Sequence, residues 1–290
     1  MIITKKIPLS YLLRNTYQDF FVVLLFSFTA FIIHHYTTFF TIPLGLSTFL
    51  GTAISLVLSF NLSLSYDRWW EARKIWGAVV NDSRALILQL KSFSDETEKI
   101  EKMALYQITW VHVLRQMLRD EPLDDDVKKY LTEKECAELD KADHKVLAIN
   151  ENMRKCLHSF NTLNSYERVQ IDTTIVRLIS HLGMAERINK TVFPQEYQLV
   201  LHLSIYLFLG FLSISLANLG HHWEIFLLVI IAAPFFLLEK TATHLQDPFN
   251  SSPTDVPISN ISQTIEINLL HLIHYDKIPQ RREEKEFYIN

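Results

Sequence analysis

Apolar and charged positions are sharply segregated along this chain. From Phe20 to Tyr66 there is no Asp, Glu, Lys or Arg over 47 residues, and from Tyr197 to Trp223 there is none over 27. A helix rising ~1.5 Å per residue needs about 20 mainly apolar residues to cross ~30 Å of hydrocarbon. The first tract is long enough for two spans. Pro43 and Gly45, in "TTFFTIPLGLS" (Thr37–Ser47), both disfavour a continuous helix interior. One span is therefore expected near Phe20–Phe39 and a second near Leu44–Tyr66. The second tract supplies a third span. Ile225–Leu238 adds a shorter fourth behind Glu224, with Asn218 and Gly220 forming the turn. That fourth apolar core has only 14 residues, so it must tolerate Glu224, tilt, or be partly buried by its neighbours.

Between the tracts the period changes. Apolar residues recur at three and four positions in "WVHVLRQML" (Trp110–Leu118) and "IDTTIVRLISHLGMAERI" (Ile171–Ile188), which predicts helices across Asp67–Glu196. Pro122 with Asp124, Asp125 and Asp126 marks a break between two of them. The charged runs Ser94–Lys102 and Thr132–Lys145 read as solvated helix surface. The six glycines are scattered, and no repeat or alternating stretch is long enough to build a sheet. The expected fold class is all-α, with four transmembrane helices in two hairpins. Residues 1–66 hold the N-terminal segment and first hairpin, and 67–196 a cytoplasmic helical domain. Residues 197–240 hold the second hairpin, and 241–290 a cytoplasmic C-terminal segment.

The placement of basic residues sets the orientation. The connections Thr37–Leu44 and Ala217–Glu224 contain no Lys or Arg. Lys5, Lys6 and Arg14 precede the first span, and Arg68, Arg73 and Lys74 follow the second. Arg187 and Lys190 precede the third, and Lys240 follows the fourth. By the positive-inside rule both termini and the insert are cytoplasmic, at the plasma (inner) membrane. The basic start could introduce a signal peptide, but no small-x-small cleavage site follows Phe20–Ile33, so the tract is expected to be retained. The overall charge of −4 implies no nucleic-acid partner. Cys136 and Cys156 lie in the insert, where a reducing compartment would keep them as free thiols rather than a disulfide.

Catalytic chemistry is hard to find. The glycine distribution excludes a phosphate-binding loop, and neither a nucleophile elbow nor a His-Glu-x-x-His pattern is present. His221 with His222, and His271 with His274, lack Cys or carboxylates at ligand spacing, so no metal site or other cofactor is expected. "EPLDDDVKK" lacks the alternating oxygen ligands and turn glycine of a calcium loop and reads as a solvated turn. The spans carry no ionisable residue except His34, His35 and His202, which argues against proton-coupled carriers and intramembrane enzymes. Thr52, Leu56 and Phe60 stack at i, i+4 and i+8 along the second span. Facing copies of one helix could form an apolar ring that gates ions by dewetting. Spacing alone is equally met by residues facing lipid or another helix, which is the commoner arrangement.

The stretch "LSYDRWWEARKIWG" (Leu64–Gly77) ends the first uncharged tract. Arg68, Trp69, Trp70, Arg73, Lys74 and Trp76 suit an aromatic and basic anchor at the membrane surface, where the pore helix is expected to leave the bilayer. Asp67 and Glu71 can pair with those bases, Glu71 with Lys74 at i, i+3. The run Tyr66–Gly77 resembles the bestrophin family, specifically its prokaryotic branch. "LGTAISLVLSF" (Leu50–Phe60) is similar to that family's pore-helix segment. "LEKTATHLQDPFNSSPTDVPISNISQTIEINLL" (Leu238–Leu270) is similar to its C-terminal stretch around Asp-Pro-Phe.

The resemblance implies a homopentameric ring with one central pore. It places Thr52, Leu56 and Phe60 at a hydrophobic neck, and Phe193, before Pro194, at a lower cytoplasmic aperture. Three departures stand out. Thr52 is polar where the family's upper neck position is usually apolar. Asn61 stands where a basic residue is common, which removes a charge near the pore exit. Asp247 and Asp255 alone stand where eukaryotic members carry a calcium-binding acidic cluster. The leading reading is a passive channel for small monovalent ions in a lipid membrane, with chloride-type anions slightly favoured. A sodium-type cation channel of the same architecture remains open, as does a non-conducting membrane-anchored interaction or sensory module. An intramembrane enzyme lacks the residues to run it.

Overall fold

The computed structural model describes residues 9–36, 42–217 and 224–281. Its helices run in the order α1 (Leu9–Tyr36), α2 (Leu44–Phe93), α3 (Thr97–Leu118), α4 (Asp125–Lys128) and α5 (Glu133–Lys141). They continue as α6 (Lys145–Ser159), α7 (Ser165–Lys190), α8 (Gln195–Ala217), α9 (Glu224–Gln246) and α10 (Ile258–Leu272). No strand occurs among the described residues. The described residues divide into two compact units, one of 9–36, 42–69, 192–217 and 224–247, the other of 70–191 and 248–281.

Helix α2 contributes to both units. It runs unbroken for 50 residues, about 75 Å at ~1.5 Å per residue, more than twice a hydrocarbon core. Leu64–Gly77, where the helix is expected to leave the bilayer, is continuous helix. The cause is local: between Gly51 and Gly77 no Gly or Pro interrupts the backbone ladder.

The first unit is made of α1, the N-terminal part of α2, α8 and α9, with α1 against α8 and α9 and α8 against α9. Among the described residues three helices are long and apolar enough to cross a membrane: α2, α8 and the Ile225–Gln246 part of α9. The span expected at Phe20–Phe39 lies in α1 as far as Tyr36, and residues 37–39 are outside the described residues. The expected turn at Asn218 and Gly220, with His221 and His222, also lies outside them. The helix expected as a fourth span is longer than its apolar core suggested, because α9 extends through Glu239 to Gln246 and accommodates Pro234 internally.

Helices in lipid are held by packing and hydrogen bonds rather than by water exclusion, so close approach matters. Ile54 and Leu58 of α2 pack with Leu201, Ile205 and Phe208 of α8 and with Leu228, Ala232 and Phe236 of α9. A Cβ at Gly51 would stand 2.8 Å from the Phe208 ring, so glycine there lets the ring lie close against α2 without shifting. One helical turn away, Ser47 and Ser215 share a buried hydroxyl–hydroxyl hydrogen bond of 2.9 Å.

The second unit is centred on α3, which packs against α4, α6, α7 and α10. Trp110 is fully buried and donates its indole N–H to Asn150 Oδ1 at 2.7 Å. Helix starts follow from sequence. Thr132 with Glu135, and Asn164 with Glu167, form reciprocal capping boxes at α5 and α7. Asp124 accepts from the Val127 amide at the start of α4. At the other end of α6, Arg168 donates to the carbonyls of Leu157 and Phe160 at 2.8 and 2.7 Å, satisfying groups the helix cannot.

Candidate functional site

Helix α2 presents two unlike faces in the first unit. Ser47, Gly51, Ile54, Leu58, Asn61 and Ser65 are buried against the unit's own helices. Thr52, Leu56 and Phe60 lie on the opposite face, and Leu56 and Phe60 remain 58% and 60% exposed. Phe49 and Leu64 extend that exposed apolar stripe in both directions. The three predicted residues thus share one face that the chain does not cover. The Thr52 hydroxyl donates to the Thr48 carbonyl at 2.9 Å, so its proton is used within the helix and the position is less polar than its identity suggested. Asn61 does not belong to this face. It is buried and accepts from Gln246 Nε2 at 3.3 Å, so it contributes to internal packing, not to a pore exit.

Phe193 lies just before α8, half-buried, with its ring edge-on to Tyr197 at 6.5 Å. The Tyr197 hydroxyl reaches the Val57 carbonyl at 3.4 Å, one turn of α2 from Phe60. The anchor residues separate into distinct roles. Arg68 Nε donates to the Gln246 carbonyl at 2.6 Å and so closes the last turn of α9. Trp69 stacks on Tyr66 at 5.9 Å, Trp70 is exposed, and Lys74 is exposed. Arg73 is half-buried beside Gly77, 3.6 Å from where a Cβ there would stand. Trp76 corrects the sequence expectation: it is fully buried, a core side chain rather than part of a surface belt. Glu71 pairs with Arg187 at 2.5 Å, not with Lys74.

The first unit also holds a polar cluster that hydropathy missed. Asp19 of α1 is buried and accepts from the Tyr206 hydroxyl at 2.8 Å. His202 Nδ1 lies 2.7 Å from Glu239 Oε1, and Lys240 Nζ lies 3.7 Å from Asp19 Oδ2. In sequence these charges flank the apolar tracts; in the fold α1, α8 and α9 converge on them. The detectable signal was an acid one residue outside a predicted span on two helices, Asp19 before Phe20 and Glu239 after Leu238.

The family model described as "Bacterial/Fungal Bestrophin protein" matches residues 8–271. The chain belongs to the bacterial and fungal bestrophin family. It is 29% identical over 242 residues to the voltage-dependent anion channel-forming protein YneE of Escherichia coli K12, covering 80% of this chain and 77% of that one. It is 30% identical over 237 residues to the protein of the same name from Salmonella typhi, covering 80% and 78%. A solved bacterial bestrophin homologue from Klebsiella pneumoniae superposes with a TM-score of 0.85 at 26% identity, covering 89% of this chain and 98% of that one.

This bestrophin is an integral membrane protein whose Asp-Pro-Phe stretch is tied into the second unit. Arg119 Nε donates to the Phe249 carbonyl at 3.2 Å and its Nη1 to Ser259 Oγ at 2.7 Å, while Val256 N donates to the Pro248 carbonyl. Burial lowers the Arg119 pKa, although Glu121 and Asp255 oppose it. Asp255 is buried and accepts from the Ser252 amide at 2.8 Å, whereas Asp247 is exposed. Among the described residues no group of three or more His, Cys, Asp or Glu is placed to hold a metal ion. "EPLDDDVKK" is more than a solvated turn, because Asp124 also pairs with buried Arg115 at 2.6 Å. Cys136 and Cys156 are free thiols, and burial pushes the Cys156 thiol up to about 11, which keeps it protonated and unreactive at neutral pH.

Proposed function

We propose that this bestrophin is a passive channel, not an enzyme, and that it conducts small monovalent anions of the chloride type. Five copies form a ring around one pore, with Thr52, Leu56 and Phe60 of each α2 forming an apolar neck and Phe193 a lower aperture. Helices α1, α2, α8 and α9 are the four spans, and the helical unit and both termini lie on the cytoplasmic side of the inner membrane. The observation that carries this reading is the uncovered α2 face. A helix whose other side is packed keeps Phe49, Leu56, Phe60 and Leu64 exposed, a face available to line a pore between copies of the chain. The channel names of its relatives favour anions over the sodium-type alternative. An uncharged neck would gate by wetting, leaving ion sign to the field of the wider vestibules. The test is flux: purified protein in liposomes should dissipate an imposed chloride gradient. Vesicles that hold both chloride and sodium gradients would refute conduction.

A further inference from the structure

A cavity of about 640 Å³ opens between the first turns of α8 and the last turns of α9, lined by Glu196, Gln198, Leu199, His202, Glu239 and Lys240. Glu239 is 8% exposed, and its Oε2 is buried without a hydrogen-bond partner while Oε1 is held by His202. A buried carboxylate oxygen left open is costly unless something donates to it. Among the described residues the charge around it does not balance: the carboxylates of Glu239, Glu196 and Asp19 stand against one ammonium, Lys240, with His202 between. Even a protonated His202 leaves the group negative, which suits a cationic hydrogen-bond donor. The cavity also sits where both helices change from apolar to charged sequence, the level of lipid headgroups. Along the same stripe of α8, one turn on, an apolar groove of about 410 Å³ continues over Leu203, Tyr206, Leu207 and Gly210 toward Phe26 of α1. Leu199, His202, Leu203, Tyr206 and Gly210 fall at helical spacings of three and four, so cavity and groove follow one another along a single track of α8, lined by different residues.

We propose that this track is a binding site for a phospholipid with a primary-ammonium headgroup, the ammonium donating to Glu239 Oε2 and an acyl chain lying in the groove. Lys240 and the free amides of α8's first turn then meet the phosphate. A quaternary ammonium has no N–H to give and an anionic headgroup meets the surplus of carboxylates, so both bind more weakly. The inference concerns lipid recognition and does not depend on conduction.

Native mass spectrometry of the intact purified channel, released from detergent with phosphatidylethanolamine, phosphatidylcholine or phosphatidylglycerol, tests it. Retention of phosphatidylethanolamine over the other two is expected. Glu239→Gln should weaken it about tenfold, the scale of losing a hydrogen bond to a charged group. Leu199→Trp fills the cavity from a rim position that is 59% exposed, so it should block the lipid without disturbing the core, and it decides the matter alone if Glu239→Gln does not fold. Displacement of the lipid by soluble phosphoethanolamine at equal affinity would assign the ammonium to a free amine and overturn the lipid. Equal retention of all three lipids by the native chain and both variants would overturn the site.

Discussion

At the residue scale, the informative contrast is between neighbours on α2. Phe60 and Asn61 are adjacent, yet one is 60% exposed and the other is buried at 1%. The 100° step of a helix sends them to different faces, so one lines the uncovered stripe while the other bonds Gln246 inside the unit. Phe60→Ala should therefore change permeation and leave assembly intact. A wider, less apolar neck dewets less readily, so single-channel conductance should rise or selectivity relax. An unchanged single-channel record would remove Phe60 from the conduction path. Trp76 and Glu71 carry the opposite lesson. Both read as surface residues in the family signature, yet Trp76 is core and Glu71 reaches across to α7.

At the element scale, α3 and α10 meet through Glu266, a buried carboxylate. His112 Nε2 lies 3.0 Å from it and the Tyr130 hydroxyl donates to it at 2.6 Å. Burial alone would raise its pKa, but the hydrogen bonds from His112 and Tyr130, with Lys129 nearby, bring it below its ordinary value of 4.5. A carboxylate whose folded pKa is depressed stabilises the fold fully above its unfolded pKa, and that contribution is lost as pH falls through the folded value. The unit should thus lose stability below about pH 4.5. Glu266→Gln should flatten that acid limb while costing about 1.5–3 kcal/mol near neutrality, the range for hydrogen bonds to charged groups. Chemical denaturation of the intact channel at stepped pH reads both effects; an acid limb unaltered by the substitution would contradict the assignment.

The same scale shows what the sequence made legible. Charge-free tracts located α2, α8 and α9 because excluding charge over some 20 residues is a physical requirement of spanning hydrocarbon. The periodic runs Trp110–Leu118 and Ile171–Ile188 located α3 and α7 because their spacing is local, whereas the caps Thr132 and Asn164 became visible only in the fold. Asp19, His202, Glu239 and Lys240 were invisible as a cluster, because the contacts join three helices, His202 to Glu239 across 37 positions and both His202 and Lys240 to Asp19 across far more. Hydropathy treats an acid as the end of a span, whereas helix packing can turn it inward and satisfy it. Helix α2 continues past Tyr66 for a related reason: a change from apolar to charged sequence alters what surrounds a helix without breaking its backbone.

At the scale of the whole molecule, the bestrophin family assignment and the uncovered stripe of α2 point to the same arrangement. The central claim is that copies of this chain surround an anion-conducting pore with Thr52, Leu56 and Phe60 at its neck. Reversal potential under paired ion substitution, recorded from the purified protein in lipid bilayers, tests this most directly. With asymmetric potassium chloride, the account predicts a reversal potential drawn toward the chloride equilibrium potential. Replacing potassium with a large organic cation should leave it in place, and replacing chloride with a large organic anion should move it. A reversal potential that follows the cation, or the absence of any current, would contradict the account.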